Sequence, residues 1–220
     1  MIKQNGVLIE LCEEEVALLE TQPEKFWEGV EVIGSFAFNG SKTLINIEIP
    51  DSVTRIMPGA FEACKKLVRV KLPENLEQLG AWAFQDCESL ESISFPNSLD
   101  SIKVSTFSNC SNLQHVNFGN GVKAIDNFAF YNCLKLTRIT LPKNVTYVDQ
   151  FAFKNCELLQ NIAIENPEIT IDNDAFENTH KIKKVILPEE LEEQVGTLFG
   201  ENKNEYVYLR NSDLGEIEAE

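Results

Sequence analysis

The sequence predicts a right-handed, β-rich solenoid of the α/β class, built from about seven stacked 23-residue units on a parallel sheet. Three observations carry that expectation. Phe recurs at 38, 61, 84, 107, 130, 153 and 176, with Ala before it in every case but Thr106. Counting from each Phe, position +6 reads Leu44, Leu67, Leu90, Leu113, Leu136, Leu159, Ile182, and position +9 reads Ile47, Val70, Ile93, Val116, Ile139, Ile162, Val185. Position +11 reads Ile49, Leu72, Phe95, Phe118, Leu141, Ile164, Leu187. In a chain that is 43% hydrophobic, twenty-one apolar residues at twenty-one positions would arise by accident about once in fifty million trials.

The unit divides into three stretches. Alternation at +9 and +11 is strand periodicity. Pro50, Pro73, Pro96, Pro142 and Pro188 at +12 end that strand, because proline lacks a donor N–H. A second apolar pair follows at +15 and +18, as in Val53/Ile56, Leu76/Leu79 and Val145/Val148. The Ala-Phe-x-x-Cys stretch then predicts about one helical turn. Asp126, Asp149 and Asp172 suit its N-cap, and Pro58 suits its first position. Gly119 and Glu165 replace the +12 proline, and Glu168 stands at +15 with Ile169 as its substitute, which predicts a local bulge. Strands about 4.8 Å apart put the seven units over roughly 30 Å.

The ends differ from the middle. The net charge is −16, of which residues 1–33 carry −6 and residues 189–220 carry −8. Three regions follow: an N-terminal cap over 1–33, the array over 34–188, and a C-terminal cap with an acidic tail over 189–220. In the first cap, VLIEL at 7–11 reads as an extra strand, and Glu13–Glu20 as a short helix leading to Phe26-Trp27. In the second, Pro188–Phe199 reads as an acidic amphipathic helix, and Tyr206–Leu209 as a closing strand before the tail Asn211–Glu220. Covered, like-charged ends disfavour end-to-end association, so a monomer is expected. Acidity argues against nucleic acid and anionic membranes. No run approaches the 18 or so apolar residues of a membrane span, and MIKQNGVLIELCEEE is a poor secretory signal. As it stands the chain reads as cytoplasmic, or as surface-exposed or secreted if a signal was removed.

The pattern L-x-x-I-x-I-P-x-x-V-x-x-I-x-x-x-A-F-x-x-C, over about 30–191, resembles the 23-residue leucine-rich repeat of the BspA-like, or Treponema pallidum-type, bacterial family. That resemblance implies a leucine-rich repeat solenoid engaged in protein–protein binding or adhesion. It implies no catalytic residue.

Two polar columns have structural readings. Cys64, Cys87, Cys110, Cys133 and Cys156 at +3 form a line without histidine; metal sites need converging ligands, so the column reads as small, buried, reduced side chains. Asp86, Asn109, Asn132, Asn155 and Asn178 at +2 read as a stacked ladder satisfying turn groups. His115 and His180 occupy different repeat positions, and no catalytic or phosphate-binding motif occurs, so no enzyme and no cofactor is expected.

The candidate partner face comprises the outward strand positions +8 and +10. Their fourteen residues include four bases and one acid, varied in type beside uniform buried neighbours. Asn46, Arg69, Lys71, His115, Asn117, Arg138 and Lys184 are the candidate contacts for a protein partner. The alternatives are a structural spacer or an intracellular scaffold with no ligand on that face.

Overall fold

The computed structural model describes residues 3–9, 11–199 and 207–210. Their backbone winds into a solenoid of about eight turns. Each turn contributes a front strand, a shorter side strand and a corner. Front strands run from Asn46–Glu48 through Arg69–Lys71, Ser92–Ser94, His115–Asn117, Arg138–Leu141 and Asn161–Ile164 to Lys184–Leu187 and Val207–Arg210. Side strands such as Arg55–Ile56, Ala124–Ile125 and Tyr147–Val148 form a second set of parallel ladders. Pairing is in register at steps of 23, with Asn46 opposite Arg69 and Lys184 opposite Val207.

The repeat extends one turn further than seven units. Phe199 lies 23 residues after Phe176, and its ring packs against Phe176 at a tilt of 43°, with centroids 5.1 Å apart. At the other end Phe26, from the helix Pro23–Trp27, lies 6.2 Å from Phe38. Between these two ends, adjacent rings from Phe38 to Phe176 stand 4.7 to 5.4 Å apart and tilt by no more than 13°. Ring separation equals strand separation, so the backbone ladder itself fixes offset stacking. The apolar +6 and +11 columns line the same interior and are buried in every array unit. At +9, Val70 and Val116 are only partly buried, whereas the longer Ile93 and Ile139 fill their sites.

The corner is a turn, not the expected helical turn. Its N–H groups alternate between two acceptors. Those at −2, 0 and +2 donate to the next unit, as in Trp82→Val104 (3.0 Å), Phe84→Thr106 (2.9 Å) and Asp86→Ser108 (2.9 Å). Those at −1, +1 and +3 donate three residues back within the unit, as in Gln85→Trp82 (3.0 Å). Pointing every second N–H along the stack requires left-handed backbone at −2 and +2, which no helix contains. At +2 this suits the residues present: Asp86, Asn109, Asn132, Asn155 and Asn178 all have φ between 57° and 62°. Their side chains form the expected ladder, each Asn Nδ2 donating to the preceding Oδ1 at 2.7 to 2.9 Å. At −2 the same conformation holds Phe36, Trp82, Phe128 and Phe151, where a bulky residue costs about 1–2 kcal/mol. Asp126, Asp149 and Asp172 therefore cap no helix. Asp149 and Asp172 accept local N–H groups from Gln150 and Asp174, and burial raises the Asp126 carboxyl above its ordinary range. Pro58 sits in the turn, its carbonyl accepting Phe36 N–H.

At the two ends the elements differ from those expected. Val7–Leu8 is the added strand, pairing with Val32–Ile33; Glu10 of the same stretch lies outside the described residues. Short helices Glu13–Val16, Leu18–Thr21 and Pro23–Trp27 follow. Glu13 supplies what a preceding unit would. Its carboxylate accepts Lys42 N–H (2.7 Å), Ser41 Oγ (3.2 Å) and Thr43 Oγ1. At the far end, a 3-10 stretch Glu189–Gln194 precedes the helix Val195–Phe199, burying Leu191, Val195 and Leu198. The strand Val207–Arg210 closes the front sheet, while Tyr206 and the acidic tail lie outside the described residues. The departure at Glu165–Ile169 is absorbed by buried Asn166, whose Nδ2 donates to Val145 O at 2.8 Å, and Ile169 is buried as its substitute role requires.

Two predictions follow from this packing. Phe107→Ala, at the centre of the ring stack, lowers stability by about 3–5 kcal/mol in equilibrium urea unfolding. Glu13 is held below its ordinary pKa chiefly by Lys42 N–H and then by the Thr43 hydroxyl. Its contribution is therefore complete above the unfolded value, about 4.3, and is lost as pH falls through the lower folded value. Glu13→Gln accordingly lowers Tm at pH 7, and the gap to wild type closes towards pH 3.

Candidate functional site

The front strands point their odd members inward and their +8 and +10 members outward. This follows from the two-residue period of a strand with a buried +9. Asn46, Arg69, Lys71, His115, Asn117 and Arg138 are exposed on this face, and Lys184 is half-buried. Register places them side by side: Arg69 and His115 flank Ser92, and Asn117 stands next to Ser94.

The face is not flat. A trough of about 920 Å³ runs over its middle units. Ser92 and Ser94 lie in it, with Lys71 and Arg138 on opposite sides and Asn97, Asn117 and Asn120 along one margin. A narrower notch of about 300 Å³ is lined by His115, Asn117 and Arg138, with Ile93, Val116 and Ile139. Three of the seven candidates, Lys71, Asn117 and Arg138, line the trough, and His115 joins them at the notch. Asn46, Arg69 and Lys184 share the face but lie outside both hollows.

The hollow has a local cause. Among the described residues, no ladder joins His115–Asn117 to Arg138–Leu141, so the front sheet divides there. Gly119 stands at +12 in this unit where proline stands in five others, with φ +59°. Its N–H bonds Asn117 Oδ1 at 3.1 Å, and Asn120 N–H bonds Asn97 Oδ1 at 2.8 Å. The strand end thus turns onto side-chain amides rather than onto the neighbouring strand. Small side chains at Ser92 and Ser94 and half-buried Val70 and Val116 leave the floor low.

Electrostatics on this face is uneven. Lys71 pairs with Glu48 on the neighbouring strand, both side chains being well exposed. That hydrogen bond raises the ammonium above its ordinary pKa. Such an exposed pair contributes little to stability, yet it ties up one expected anchor. Among the described residues, no ion pair engages Arg69 or Arg138. Reading the columns singly missed the Glu48–Lys71 contact, although 23-residue spacing between two +10 positions encodes it.

The cysteine column is buried, and each Sγ donates to the carbonyl of the Phe 26 residues earlier, at 3.0 to 3.4 Å. Burial pushes the Cys64 and Cys156 thiols up to about 12. Among the described residues, no three His, Cys, Asp or Glu side chains gather as metal ligands would. No helix of the described residues is long and apolar enough to cross a membrane.

Comparison with known proteins agrees with this geometry. A profile of the BspA-type leucine-rich repeat region matches in six copies, over residues 25–134 and 82–206. The chain belongs to the BspA-type leucine-rich repeat family. The crystal structure of the Treponema pallidum leucine-rich repeat protein is 30% identical, covers 78% of each chain and superposes with a TM-score of 0.61. A leucine-rich cell surface protein of Faecalibacterium prausnitzii is 23% identical over 82% of this chain and 61% of its own, with a TM-score of 0.49. A leucine-rich repeat protein of Bacteroides ovatus is 23% identical over 82% and 66% of the two chains, with a TM-score of 0.43. A search of curated proteins finds no match. Proteins of this repeat family are generally interaction modules.

The thiols give a direct check on this packing. Thiol titration of the native protein at pH 8 modifies Cys12, the exposed cysteine, and guanidinium releases the other five of the six. Rapid native modification of several thiols would contradict the buried column.

Proposed function

We propose that this chain is a non-enzymatic binding module that takes a protein partner on its front strand face, centred on the trough. The observation that supports this most is the coincidence of a hollow, a break in the ladder and two uncommitted arginines on one face of an otherwise uniform array. Concave sites with a few placed polar groups are where ligands bind. Arginine is also enriched among residues that dominate interface energies. Arg138 is the central anchor of this reading, with His115 and Asn117 beside it and Arg69, Lys71, Asn46 and Lys184 extending the contact along the sheet. An adhesin-type role is the form of this reading that the family resemblance implies. The residues in the trough offer hydrogen-bonding and charge recognition, which suits binding.

Arg69→Ala/Arg138→Ala tests the reading. Against a partner captured by the native chain, Kd rises about 10- to 100-fold by calorimetry, as expected for two arginine anchors, while the melting curve stays in place. Ser94→Trp, which fills the trough from an exposed position, gives the same loss. Unaltered affinity in both variants would leave the front face as a solvated sheet surface and favour a spacer.

A further inference from the structure

The corner at −2 presents a second surface, remote in kind from the front face. Phe36 and Trp82 have φ of +60° and +57°, a conformation in which bulky residues are outliers. They are also 49% and 44% exposed. The strained conformation belongs to the corner and is shared by Phe128 and Phe151, so what sets Phe36 and Trp82 apart is that their rings are exposed. The next units show what a packed version looks like. Phe128 stacks on Phe151 at 5.1 Å, Tyr131 stands edge-on to Phe128 at 5.5 Å, and Lys154 Nζ lies 4.5 Å over Phe151. Among the described residues, no aromatic ring or cation covers Phe36 or Trp82.

The two rings stand two units apart on the same corner face. Gly59 separates them in the stack, and a Cβ there would fall inside the Phe36 ring. The Phe36 ring therefore lies over the Gly59 unit, directly below that of Trp82. Val104, 39% exposed, continues the apolar strip into the next unit. Around this strip charge is scarce. The corner segments 35–39, 58–62, 81–85 and 104–108 contain one charged residue in twenty, Glu62, in a chain that is 25% charged. Planar polar groups rim it instead. Asn39 and Gln85 close turns on Phe36 and Trp82, their N–H groups 3.0 Å from those carbonyls, and Asn39 Nδ2 reaches Glu62 Oε2 at 3.2 Å.

We infer that this strip is a binding platform for a neutral polysaccharide. An open strip demands a flat, extended ligand rather than a small molecule that needs enclosure. With Glu62 the single charged residue in these segments, the strip favours a neutral ligand, and rings two units apart suit an extended one. The C–H face of a sugar ring stacks on Phe36 and Trp82, and its hydroxyls reach Asn39, Gln85 and Glu62.

Native gel electrophoresis of the full chain, in gels containing hydroxyethylcellulose, laminarin or amylopectin, tests this inference. At least one polysaccharide halves the mobility, and Phe36→Asn and Trp82→Asn each restore it. Asn accepts left-handed backbone, so both variants melt at or above the wild-type temperature. Arg69→Ala/Arg138→Ala keeps the retardation, which separates this strip from the front face. Full mobility in all three gels, or retardation that both Asn variants retain, overturns the inference. So does a fall in melting temperature on Trp82→Asn, which would make the ring a packing element. A dimer in sedimentation that Trp82→Asn dissolves would assign the strip to a second copy instead.

Discussion

The whole molecule depends on the registered stacking of one 23-residue unit upon the next. No unit buries its own apolar face; Phe107, Leu113 and Phe118 are dry only because the units of Phe84 and Phe130 lie on either side. The backbone enforces that register on all three faces of the coil. Front and side strands pair in parallel, and every second corner N–H donates to the unit above. Hydrogen-bond spacing and ring spacing coincide, so the aromatic column, the thiol column and the amide ladder follow from one periodicity. Stability in such an array grows by neighbour contacts, which is why both ends need covers. Glu13 mimics the acceptors of a missing unit at one end, and Phe199 adds a final ring at the other.

A fixed interior frees the outward positions to vary, and the two surfaces singled out use that freedom differently. On the front face, variation is in side-chain length and charge: Ser92 and Ser94 lower the floor between the longer Lys71 and Arg138. At the corner, variation is in what a strained backbone carries. The amide column at +2 suits its left-handed conformation, whereas Phe36 and Trp82 at −2 do not, although both columns donate N–H along the stack. The same ladder thus has a relaxed rail and a strained one.

Most of the interior was legible in the sequence, because period-23 apolar columns leave one way to stack. Asn132 and Asn155 were legible as a ladder for the same reason. The corner was not: Asp149 and Asp172 look like helix caps, and nothing in a Phe or Trp announces positive φ. Phe199 was legible by spacing, yet the segment before it reads as an amphipathic helix rather than as Ala-Phe-x-x-Cys, which hides the eighth turn. Arg69, His115 and Arg138 were placed on the outward face by alternation alone. Their division between trough and rim was not, since the hollow depends on Gly119 turning the strand end onto Asn117. That is a conformational outcome, not a compositional one.

Excision of a whole unit tests the registered stack most directly. Removing 131–153, so that Phe130 is followed by Lys154, deletes 23 residues and preserves every column, whereas removing 131–152 shifts all later columns by one. Registered stacking predicts a single cooperative thermal transition for the first variant, with the strand signal in circular dichroism retained, and loss of that transition for the second. Equal tolerance of both deletions, or collapse of the 23-residue variant alone, would contradict it.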